Sequence, residues 1–117
     1  MPLLRPTLFL LLLLVTFTSA QYFNNSVDQK ILNAIENENY NFIENSIDNN
    51  TTSPNARING KTLLIYACIY DQPEMVLLLL SKGADLNLVC DLGMSAEEYA
   101  VMHNSIYALA QIIVVKA

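Results

Sequence analysis

Apolar and small residues recur along this chain at a spacing of 33. Ala34, Ala67 and Ala100 fall in phase, as do Ile43, Val76 and Leu109, and then Ile47, Leu80 and Ile113. Turn formers and capping residues keep the same phase: Gly60 falls on Gly93, Asn50 on Gly83, Thr62 on Ser95 and Tyr66 on Tyr99. Agreement across several physically distinct residue classes marks a repeated supersecondary unit that stacks on its neighbours. The middle unit, residues 58–91, reads as turn, helix, short turn, helix, turn. Its first helix is predicted from about Thr62 to Tyr70, with the Thr62 hydroxyl placed to accept an orphan backbone N–H. Asp71-Gln72-Pro73 breaks that helix, and Pro73 opens the next one, where its missing N–H costs nothing. The second helix, from Glu74 to Lys82, stops at Gly83, which is free to adopt the left-handed conformation that closes a helix. Lys82 suits the negative end of its dipole.

Four consecutive leucines, Leu77 to Leu80, leave this second helix without a polar face. A helix that is apolar all round is expected to be buried on more than one side. One helix pair does not supply that burial, whereas stacked neighbours do, which is the physical logic of a solenoid. Three units follow, at about residues 26–57, 58–91 and 92–117, within a single domain from residue 21 onward.

Ahead of them lies MPLLRPTLFLLLLLVTFTSA, with Arg5 preceding an apolar run from Leu8 to Phe17 and small residues at Thr18-Ser19-Ala20. This is the grammar of a cleaved secretory signal peptide. The run is about ten residues long, short of the roughly 20 that a membrane span requires. Cleavage after Ala20 would remove Arg5 and leave five Lys and Arg against eleven Asp and Glu, so the net charge moves from −5 to −6. The expectation is a soluble extracytoplasmic domain, secreted or periplasmic, with no membrane contact after cleavage. An acidic surface without a Lys or Arg cluster repels phosphate backbones, which argues against nucleic acid as a partner.

Two cysteines, Cys68 and Cys90, are too few for the disulfide framework of small secreted proteins. A Cys68–Cys90 disulfide and two free thiols both remain open, with Cys68 expected in the core and Cys90, in a turn, expected to be the more accessible. His103 is the only histidine, so no His-pair metal site exists. Glu97 and Glu98 are adjacent on a helix and point in different directions, which does not make an acid/base pair. They suit the first turn through its dipole. No phosphate loop, zinc spacing or nucleophile elbow is present. The chain is therefore read as a non-enzyme with no cofactor and no metal. The tripeptides at Asn24, Asn49 and Asn50 fit the N-glycosylation pattern but arise easily in so Asn-rich a chain.

Residues 59–87, NGKTLLIYACIYDQPEMVLLLLSKGADLN, carry a family resemblance. Gly60-Lys-Thr62-Leu-Leu-Ile-Tyr-Ala67-Cys68 and Val76-Leu-Leu-Leu79-Leu80-Ser-Lys-Gly83-Ala84-Asp85-Leu86-Asn87 resemble the two signature elements of the ankyrin repeat. The first element departs from the pattern: Leu63 stands for the family proline and Ile65 for the family histidine, whose inter-turn hydrogen bonds would be lost, so a less regular repeat is expected there. Gly93 to Ala100 resembles a shortened last repeat, and residues 26–57 keep only the apolar skeleton of a solvated first one. The resemblance implies an all-α solenoid of about three stacked helix-turn-helix repeats and a protein-binding scaffold. In that family, partners meet the hairpin tips and the exposed side of the first helices. Here those positions are Ile58, Asn59, Lys61, Ile69 and Tyr70, then Asp91, Leu92, Met94, Met102 and His103. Most are apolar or aromatic, which suits a protein partner of unstated identity.

A terminal helix should turn a polar face to water, yet Ile106, Leu109, Ile112, Ile113, Val114 and Val115 crowd residues 105–117. Exposed apolar surface of that extent marks an interface. Self-association into a homo-oligomer through this helix, or docking of a partner there, is thus the alternative expectation, beside burial within a relaxed terminal repeat or truncation from a longer array.

Overall fold

In a computed structural model, residues 26–117 are described, and the leader at residues 1–20 and Asn24 lie outside them. Six helices and one two-stranded hairpin follow in order: α1 (Val27–Glu36), α2 (Tyr40–Asp48), β1 (Arg57–Ile58), β2 (Lys61–Thr62), α3 (Leu63–Ile69), α4 (Pro73–Ser81), α5 (Ala96–Met102) and α6 (Ile106–Lys116). The strands pair antiparallel, Arg57 with Thr62 and Ile58 with Lys61. By contact the chain divides into two units, Met1–Lys30 and Ile31–Ala117. Of the first, the structure describes Ser26 and the opening turn of α1, where the Ser26 hydroxyl accepts the Gln29 N–H at 3.1 Å.

The second unit holds the helix pairs. Local chemistry starts the helices of the middle repeat where the sequence predicts it, and Ser95 repeats the Thr62 cap. The Thr62 hydroxyl accepts the Ile65 N–H at 3.2 Å and the Ser95 hydroxyl accepts the Glu98 N–H at 3.2 Å, one period apart. The turn between the two helices of each pair needs a left-handed residue, and the same phase supplies it: Glu38, Asp71 and Asn104 have φ of 57°, 52° and 54°. A second left-handed position closes the second helix, at Asn50 (φ 59°) and Gly83 (φ 99°). Asparagine and aspartate tolerate this region because their short polar side chains bond locally. Glu38 has no such excuse and is held there by the repeat.

Packing follows the stack. Ile31, Ile35, Ile43, Leu63, Leu64, Ile65, Met75, Leu79 and Ile112 are fully buried in one continuous cluster. Each such side chain contributes roughly 1.5–3 kcal/mol of hydrophobic stabilisation. Polar ties join successive repeats. The Asp71 carboxylate accepts the Ala108 N–H at 2.8 Å, the Gln72 carboxamide donates to the Glu36 carbonyl at 3.2 Å, and the Lys82 ammonium bridges Asp48 at 2.9 Å and Glu44 at 3.2 Å. The Asn55 side chain donates to the Gly83 carbonyl at 3.2 Å and accepts the Asp85 N–H at 2.7 Å.

Two expectations are corrected here. The repeat carrying Leu63 and Ile65 is regular: both side chains are fully buried and the Thr62 cap is intact. Apolar packing replaces the hydrogen bonds the family histidine would make. The leucine run is less enclosed than its composition suggests, because only Leu79 is fully buried, Leu78 and Leu80 are half-buried, and Leu77 is exposed. No further layer of the described unit covers that side of α4.

Candidate protein-binding face

Two hairpin tips and two helix ends make the face predicted for a partner. At the first tip, Asn59 (φ 51°) and Gly60 (φ 79°) reverse the chain between β1 and β2. The Tyr66 hydroxyl donates to the Ile58 carbonyl at 2.7 Å, which pins the tip to α3, and the Lys61 ammonium lies 5.9 Å from the centre of the Tyr66 ring. The second tip is built alike. Val89 bridges Ser95, the Cys90 N–H donates to the Met94 carbonyl at 2.8 Å, and the Tyr99 hydroxyl donates to the Cys90 sulfur at 3.3 Å. Tyr66 and Tyr99, one period apart, thus play the same part. The tips are tied together as well: the Asp91 N–H donates to the Gly60 carbonyl at 3.0 Å and the Asp91 carboxylate lies 3.8 Å from the Arg57 guanidinium.

Not every predicted contact reaches solvent. Asn59, Asp91, Leu92, Met102 and His103 are exposed, Tyr70 is 39% exposed, and Lys61, Ile69 and Met94 are half-buried. Ile58 is corrected: at 4% exposure it belongs to the core, because β1 turns it inward beneath the Tyr66 hydroxyl. Leu92, at 84%, is the most open large apolar side chain on either tip. His103 caps α5 and stacks on Tyr99, ring centres 6.1 Å apart. On α6, Ile106, Ile113, Val114 and Val115 are exposed and Leu109 is half-buried. Ile112 is corrected, being fully buried on the side of the helix that meets the rest of the unit. Sequence reasoning passed over Val101 and Tyr107, which are exposed. The 33-residue phase points to Tyr107, which falls on exposed Glu74, but not to Val101, which falls on buried Cys68.

The two thiols are free, and both are buried. Cys90 is the more open of the two, as expected, but at 5% against 0% it is still buried, because the tip folds it under Tyr99. Their environments differ. Burial, with the Asp71 carboxylate adding to it, pushes the Cys68 thiol up to about 12. The Tyr99 hydroxyl, bonding the sulfur, holds Cys90 below its ordinary value, and the same bond raises Tyr99. Burial, followed by Glu36, raises Tyr70. Among the described residues no three His, Cys, Asp or Glu side chains converge as a metal site, and no helix is long and apolar enough to cross a membrane.

Stacked helix pairs repeated in phase, the second and third each opened by a tip, define a repeat solenoid. The family model for ankyrin repeats (3 copies) matches residues 31–116, and the chain belongs to the ankyrin-repeat family. Repeats of this family are in general protein-interaction modules and typically not enzymes. No curated protein and no solved structure matches the chain.

Proposed function

We propose that this chain is an exported ankyrin-repeat adaptor that holds a protein partner against its hairpin tips and first helices. The observation that carries the reading is Leu92, an almost fully exposed leucine on a tip whose sequence neighbour Asp91 is also open to solvent. Apolar and aromatic side chains rimmed by polar ones are what a protein interface requires at its centre. The pattern of a secretory leader at residues 1–20 supports a partner in the periplasm or outside the cell. Affinity capture with residues 21–117 tests this directly. Wild-type protein retains a partner that the Tyr70→Ser/Met102→Ser double variant does not, and capture that survives the double variant removes the tip face from the interface.

A second reading rests on α6, where Ile106, Tyr107, Ile113, Val114 and Val115 are all exposed. Such a face supports self-assembly without a dedicated hetero-partner. Light scattering separates the two, since self-assembly requires a mass that rises with concentration and the adaptor reading alone does not.

A further inference from the structure

We infer that the open end of the third repeat is a second docking surface, shaped to receive a cationic amphipathic helix from a partner protein. The shape is argued from the molecule's own stack. In the middle repeat α5 is the helix laid most extensively against α3, and Leu64, Ile65 and Cys68 of α3 are buried. One period later the same three positions are Glu97, Glu98 and Val101. Glu97 is half-buried under Lys116, but within the described unit Glu98 and Val101 stay open, Val101 at 61% exposure and the adjoining Met102 at 57%. Ser95, Glu97, Glu98, Val101 and Met102 line a hollow of about 400 Å³. A surface that seats a helix in one repeat is thus presented empty in the next.

Its chemistry selects the occupant. Two apolar side chains of the middle repeat have become carboxylates, while the third position stays apolar. Glu97 is paired with Lys116 at 2.6 Å, whereas Glu98 has no ion pair among the described residues. An all-apolar helix placed here would strip water from Glu98 without a partner, at a cost of several kcal/mol. Two copies joined end to end would bring four carboxylates together. A helix whose apolar stripe fills the hollow over Val101 and Met102, and whose flanking Lys or Arg meet Glu98, satisfies both halves of the surface. This surface shares Met102 with the tip face of the proposed function and is otherwise separate from it, so Glu98 and Val101 test it alone.

The test uses the full-length chain and a fluorescent synthetic helix of about 18 residues, with leucines at helical spacing flanked by lysines. Two controls share its length: one has its lysines replaced by glutamates, and one has the cationic sequence scrambled so that the stripe is lost. The cationic helix is expected to bind at least about tenfold more tightly than either control, with affinity falling as salt rises. Glu98→Lys and Val101→Asp should each weaken it at least about tenfold, and the milder Glu98→Gln by about threefold, with far-UV circular dichroism unchanged. Tyr70→Ser/Leu92→Ser, on the tip face, should leave binding within about twofold of wild type. Equal binding of the scrambled peptide would reduce the interaction to diffuse attraction by an acidic protein and overturn the inference. So would binding lost in the tip variant and kept in Glu98→Gln and Val101→Asp, which would move the helix to the tip face.

Discussion

At the scale of single residues, two thiols in one small domain are set to opposite chemistry by what surrounds them. Cys68 has no solvent contact, and its thiol is pushed from an ordinary 9.0 up to about 12, chiefly by burial. Because the unfolded chain gives up this proton first, the stabilisation is fully present below pH 9 and is lost as pH rises from there through about 12. Tyr40, Tyr70 and Tyr99 are raised too and act in the same direction. Urea unfolding should therefore show about 2 kcal/mol less stability at pH 10.5 than at pH 8 from Cys68 alone. Cys68→Ala, less stable at neutral pH, should lose correspondingly less over that interval, and parallel losses in the two proteins would remove Cys68 as the cause. The glycines offer a second contrast. Gly60 and Gly93 share a φ near 80°, but an added Cβ at Gly60 would run into the Asp91 carboxylate, whereas at Gly93 it meets open space. Both alanine variants bear the left-handed penalty of about 1 kcal/mol. Gly60→Ala should cost at least about 1 kcal/mol more, since it also disturbs the tie between the tips. Equal urea midpoints for the two variants would show that the Asp91 side chain simply swings aside.

At the scale of elements, most of the architecture was legible because the repeat states each rule two or three times. Thr62 and Ser95 cap, Gly83 closes, and Pro73 opens, all as backbone chemistry requires. What stayed hidden was the inward or outward sense of residues in the tips, where two-residue strands are too short for alternation to speak. Ile58 was misjudged for that reason, and it and Cys90 are both buried under tyrosine hydroxyls whose partners only the fold reveals. Ile112 was misjudged because α6 is apolar all round and its composition does not say which side meets the core. The left-handed positions Glu38, Asp71 and Asn104 were also unread, though their phase was available. Asp71 carries the clearest consequence, since its carboxylate caps the start of α6 from the preceding repeat. Asp71→Asn keeps both the acceptor and the tolerance of positive φ, and should lie within about 0.5 kcal/mol of wild type. Asp71→Ala loses the cap and gains backbone strain, at a cost of about 2 kcal/mol. Equilibrium urea denaturation distinguishes them, and a near-neutral alanine variant would mean that the inter-repeat cap contributes nothing.

At the scale of the whole molecule, the asymmetry of α6 decides whether its apolar surface is an interface or part of the core. Ile112 is fully buried while Val114, two residues on, is 67% exposed. A charge at the two positions should therefore have opposite consequences. Ile112→Asp places an unpaired carboxylate in the core and should destabilise the unit by at least about 4 kcal/mol, enough to unfold a marginal domain. Val114→Asp leaves the core intact, so its unfolding midpoint should stay within about 0.5 kcal/mol of wild type, and any effect should appear in mass. If α6 mediates assembly, light scattering at high concentration should show wild type above monomer mass and Val114→Asp at monomer mass, both equally folded. A wild type that remains monomeric leaves the outer face of α6 without a self-partner.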